Sequence, residues 1–258
     1  EGNAGRIAIS TNKMEILGQD NLDDGFFDSN LITGITSLSD YSPGITKPGN
    51  AGDVSVIIQD SLSLKNNTTI HSSTASKGAA GKVTVKAKDL AMDNFSFIRS
   101  ESLPAIPVGL YNGNIAGDAG DVSVNIDNTL LINHDSRINS FTITTGKAGT
   151  VTVSADQAEI ANSGEISSVS NIYITELNKD NLNQQVGNVT VSVKDFLKID
   201  SFGKIHADTQ SQMNAGNVTV NAGQLEMIGG RISSDSSGLF KMNMGNAGTV
   251  SVAVKDSL

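Results

Sequence analysis

The octapeptide GNAGDVSV at 49–56 returns as GDAGDVSV at 117–124, as GNAGTVSV at 245–252 and, more loosely, as MNAGNVTV at 213–220. Small turn residues followed by valines at every second place encode a corner and a short strand, written repeatedly as one unit. Taking the Gly ahead of each valine pair as an anchor registers the chain at Gly5, Gly52, Gly81, Gly120, Gly149, Gly187, Gly216 and Gly248.

Three period-2 signals follow each complete anchor. The first begins at Ile7, Val54, Val83, Val122, Val151, Val189, Val218 and Val250. The second is a pair such as Met14/Ile16, Leu62/Leu64, Leu90/Met92, Leu130/Ile132, Ala158/Ile160, Leu197/Ile199 and Leu225/Met227. The third is a single Ile followed by small polar residues, at Ile35, Ile70, Ile98, Ile138, Ile166, Ile205 and Ile232. Separated by Asn, Asp, Gly and Ser, these signals predict three strands per repeat. One such repeat cannot bury its apolar face alone, whereas stacked repeats bury a continuous column. The expected fold is all-β: a right-handed parallel β-helix, a three-sided β-solenoid of about eight rungs rising about 4.8 Å each. The anchor Gly fits a corner that needs positive φ or close backbone approach.

Anchor separations run 47, 29, 39, 29, 38, 29 and 32, so long loops are expected on alternate rungs. Residues 1–258 are predicted to form a single repeat segment of a longer protein. Composition agrees with a thin core. Only 4% of residues are aromatic, and Trp and Cys are absent, so Val, Ile, Leu and Ala must fill the interior. A net charge of -9 gives no electrostatic footprint for nucleic acid, and no apolar run has the length of a membrane-spanning helix, so neither nucleic-acid binding nor membrane insertion is expected.

The GNAG-x-V-[ST]-V corners, with their L-x-L and I-x-S strands, resemble the repeat region of filamentous-haemagglutinin-like exoproteins, the adhesins that Gram-negative bacteria export by two-partner secretion. The resemblance covers essentially the whole chain. It implies a β-helical passenger, secreted or held at the bacterial outer cell surface, with a role in cell adhesion. The expected function is a non-catalytic structural and display segment, whose partner is a host or neighbouring-cell surface glycan or protein. The ends of the stack carry unpaired strand edges, so end-to-end self-association is expected as well.

The rival reading is a polysaccharide-degrading enzyme on a β-helix scaffold, which needs paired carboxylates on neighbouring rungs. The outward first-strand residues, among them Ser55, Thr84, Ser123 and Thr152, offer none. Glu15, Glu159 and Glu226 face outward from the second strand, each at least two rungs from the next, and read as a solvated face. His71 and His206 hold the same third-strand slot four rungs apart, too far to share a metal, and His134 falls in a turn. No catalytic, metal-ligating or cofactor residue is assigned. The one weak exception is Ca²⁺ near Asp20, Asp23, Asp24 and Asp28, where an EF-hand alignment fails at Leu22 and Leu31. Candidate contact residues lie in the long loops, which hold the aromatics that corners do not need: Phe26, Phe27, Tyr41, Leu110, Tyr111 and Tyr173.

Overall fold

The computed structural model describes residues 3–19, 33–39, 49–103, 117–171, 185–211, 213–237 and 245–255. The first repeat supplies β1 (Ile7–Thr11), β2 (Met14–Leu17) and β3 (Thr33–Ser39). The second supplies β4 (Val54–Ile58), β5 (Ser61–Lys65) and β6 (Thr68–Thr74), and the third β7 (Val83–Ala87), β8 (Asp89–Asp93) and β9 (Phe97–Ser102). The fourth gives β10 (Val122–Ile126), β11 (Thr129–Ile132) and β12 (Arg137–Thr142). After that each repeat has two strands: β13 (Val151–Ile160) with β14 (Glu165–Ser170), β15 (Val189–Asp200) with β16 (Lys204–Thr209), and β17 (Val218–Ile228) with β18 (Arg231–Ser233). The last described strand is β19 (Val250–Val254).

This topology corrects the three-sided right-handed β-helix expected above. Among the described residues two sheets are present, not three. The larger follows β1-β4-β7-β10-β13-β11-β8-β5-β2, a nearly closed, barrel-like path of parallel strands to which β15, β17 and β19 attach. The smaller is seven-stranded, β18-β16-β14-β12-β9-β6-β3. The physical reason lies at one corner. Asp127-Asn128 interrupts the chain between β10 and β11, whereas Ala155-Asp156 keeps extended geometry within β13 and shifts the ladder by a bulge. Strands expected to form two faces therefore share one sheet.

All strand pairs are parallel, and each aligns a residue with its counterpart in the next repeat: Val83↔Val122, Val122↔Val151, Val151↔Val189 and Val189↔Val218. Val54, Val83, Val122, Val151, Val189 and Val218 are all buried, while Val250, in register with Val218, is 42% exposed. Leu62, Leu90, Leu130 and Leu197 form a second buried line, and Ile70, Ile98, Ile138, Ile166 and Ile205 a third. Among the described residues the core cluster is built from Val, Leu, Ile, Ala and Met, with no aromatic ring.

Close backbone approach explains the anchors. A Cβ added at Gly52, Gly81, Gly120 or Gly149 would strike the carbonyl oxygen of the preceding anchor, and none of these glycines has positive φ. The polar residues flanking them tie the repeats together. Asn50 Oδ1 accepts the Ala79 N–H and Asp53 Oδ1 the Lys82 N–H, both at 2.8 Å, and Asp118 and Asp121 do the same for Lys147 and Thr150. The turn before the smaller sheet is built from consecutive left-handed residues: Asn66-Asn67, Asn94-Phe95, His134-Asp135, Asn162-Ser163 and Ser201-Phe202, all with φ between 44° and 68°. Backbone bonds such as Asn67 N–H to Asn94 O and Phe95 N–H to His134 O stack these turns.

Candidate functional site

On the smaller sheet, the residues two positions past Ile70, Ile98, Ile138 and Ile166 form a buried hydroxyl column, which Ala207 interrupts after Ile205. Ser72 donates to Gly52 O at 3.0 Å and accepts from Gly81 N at 2.7 Å. Ser100 repeats this between Gly81 and Gly120, and Ser140 between Gly120 and Gly149. Each serine thus joins its own repeat to the next through groups that would otherwise lack partners.

The intervening position carries the chemistry. One register row crosses the sheet as Thr36, His71, Arg99, Asn139, Ser167, His206 and Ser233. His71 and His206 do share a slot four strands apart, as their spacing implied, but their surroundings are opposite.

His71 is held neutral. Burial, reinforced by the Arg99 charge, pushes its imidazole down to about 3. Its Nδ1 lies 3.0 Å from Thr69 Oγ1, and the 3.9 Å approach of Nε2 to Glu101 is therefore not an ion pair. Glu101, itself buried, contacts Arg99 Nε at 3.1 Å, and the guanidinium stacks on Phe97 at 4.8 Å. Burial raises the Glu101 carboxyl above its ordinary range, against the pull of Arg99 and of a hydrogen bond from Ser73.

His206 is held charged. Burial alone would lower it, but the carboxylates of Asp208 and Glu165 outweigh that cost and raise it to about 9. Nδ1 is 2.7 Å from Asp208 Oδ2 and Nε2 is 3.2 Å from Glu165 Oε1, though both contacts lie off the ring N–H directions and act as charge contacts. Burial would raise Glu165, yet His206, Arg137 and the Ser167 hydroxyl bring it down to about 2. The Ser167 hydroxyl donates to Glu165, not to His206, so the imidazole is not aligned to activate it.

Neither cluster offers an open acid–base pair on the described surface. Glu165 and Asp208 both contact one imidazolium, and Glu101 is 3% exposed. Among the described residues, no group of three or more His, Asp or Glu is placed to hold a metal ion. Glu15 and Glu159 pair with Lys65 at 3.6 Å and Lys198 at 3.1 Å, and His134 pairs with Asp93 at 2.7 Å, a partner 41 residues away that the sequence did not reveal. Phe26, Phe27, Tyr41, Leu110, Tyr111 and Tyr173 lie outside the described residues, as do Asp20, Asp23, Asp24 and Asp28. No family model, curated protein or solved structure matches the chain.

Proposed function

We propose that the chain is a structural and display segment of a bacterial surface adhesin, without catalytic activity. The observation that supports this reading is the use of its polar side chains: Ser72, Ser100 and Ser140, with Asn50, Asp53, Asp118 and Asp121, join one repeat to the next. Such bonds resist separation of the repeats and favour a stiff support. The resemblance of the corners to filamentous-haemagglutinin-like repeats adds the setting: secretion to the outer cell surface and contact with a glycan or protein of a host or neighbouring cell. Phe26, Phe27, Tyr41, Leu110, Tyr111 and Tyr173 remain the contact residues proposed from sequence.

Beads coated with the chain are expected to attach to cultured host cells or to neighbouring bacteria. A variant lacking Ala105 to Tyr111 should attach less while melting at the same temperature. Attachment no greater than that of uncoated beads, or release of new sugar ends from a polysaccharide by the chain, would overturn the proposal.

A further inference from the structure

A shallow groove of about 370 Å³ follows the bend in the larger sheet where the first strand position passes into the second. One wall is a single register row, Asn125, Ser154, Ser192 and Asn221, contributed by four successive repeats. Ile126, Ala155, Val193 and Ala222 form its floor, all buried and turned into the core. Asp127, Asp156, Lys194 and Lys255 complete the lining, and Lys194 Nζ lies 3.4 Å from Asp156 Oδ2.

We propose that this groove binds a linear, uncharged oligosaccharide lying along the stacking direction, about one sugar unit per repeat. The wall supplies hydrogen-bonding groups about 4.8 Å apart, close to the advance of one extended pyranose unit. Amides and hydroxyls both donate and accept, as sugar hydroxyls require. Ser154 donates to Asn125 Oδ1 at 3.1 Å, which leaves the Asn125 amide N–H groups free. The side chains of Ser192 and Asn221 make no hydrogen bond among the described residues.

Two alternatives fit less well. The strands bearing the row are paired on both sides, so no free backbone ladder is offered to a peptide strand. Two carboxylates offset two ammonium groups along the groove, and the chain carries a net charge of -9, which disfavours a polyanion. The row is fixed by the sheet before any ligand arrives, which lowers the ordering cost of binding.

The inference deepens the display reading, on which it rests for its biological setting, but its test is a solution measurement. The whole chain would be titrated calorimetrically with cellotetraose, β-1,4-mannotetraose and chitotetraose, with a heparin tetrasaccharide and a short peptide as controls. At least one neutral tetrasaccharide is expected to bind with a millimolar or tighter Kd. Ser192→Tyr, which fills the groove, and Asn221→Ala should each weaken that binding about tenfold or more at unchanged melting temperature. The proposal is overturned if no neutral oligomer binds at millimolar concentration, if binding survives both substitutions, or if only heparin or peptide binds. Bead attachment separates the two readings. Wild-type beads that fail to attach overturn display, whereas attachment undiminished by Ser192→Tyr overturns the groove as its source.

Discussion

Ser72 accepts the N–H of Gly81, the anchor of the next repeat, at 2.7 Å, and both residues are buried. The same hydroxyl donates to Gly52 O, so one side chain closes a corner and bonds two repeats. Ser72→Ala removes both bonds and strands a buried N–H, at a cost of about 1–3 kcal/mol. Chemical denaturation is expected to show that loss. A natural gap offers the reverse experiment: Ala207 holds the serine slot before Gly216, and no hydroxyl there meets the Gly216 N–H. Ala207→Ser should stabilise the chain by about 0.5–1.5 kcal/mol.

The anchors should tolerate no side chain. Gly120→Ala drives a Cβ into Gly81 O, and relief requires two stacked backbones to separate, which costs about 1–3 kcal/mol. Gly229 supplies the contrast, because it has φ 70° and nothing close to its missing Cβ except Ser201 N at 3.9 Å. Gly229→Asn, a residue that accepts left-handed geometry, should leave the melting temperature almost unchanged. Equal losses at both sites would contradict the close-approach explanation.

The two buried histidines should give stability opposite pH slopes. His206 has a folded value of about 9 against an ordinary 6.5, so its contribution is complete below pH 6.5 and is lost as pH rises toward 9. His71 has a folded value of about 3, so its contribution is complete above pH 6.5 and is lost as pH falls toward 3. Glu165 adds to the acid limb, between 4.5 and about 2. The melting temperature is expected to peak near neutrality. His206→Gln should flatten the alkaline limb and His71→Gln the acid limb between pH 6.5 and 4.5. Proton NMR would check the assignment: the His206 ring should titrate near pH 9, and the His71 ring should be silent through the neutral range.

Phe202 sits at φ 68° with 73% of its surface exposed, a bulky ring in a conformation that suits Gly or Asn. The equivalent positions in other turns hold Asn67, Phe95, Asp135 and Ser163, so a second Phe adopts this geometry, at φ 58°. Phe202→Asn is therefore expected to relieve strain and to stabilise the chain by about 1 kcal/mol. A lower melting temperature in that variant would show that the ring packs usefully.

The strand positions, their register and the aliphatic lines through Val122, Leu130 and Ile138 were determined by sequence alone. A period of two repeated at fixed offsets leaves little freedom for which side faces inward. The serine staples also had a visible signal, since Ile70-His71-Ser72, Ile98-Arg99-Ser100 and Ile138-Asn139-Ser140 repeat one pattern, but nothing in it says that the hydroxyl bridges two glycines. Tertiary structure alone decided the number of sheets. Whether Ala155-Asp156 turns or runs on through β13 depends on how the neighbouring strands pull the backbone, and both outcomes are open to such residues. It also decided that His71 is neutral and His206 charged. The two occupy one slot of one motif, and what separates them is Arg99 in one case, and Glu165 with Asp208 in the other. Arg99 and Glu165 come from neighbouring strands, 28 and 41 residues away from the ring each acts on, and act through charge at short range in a buried setting, which no local pattern records.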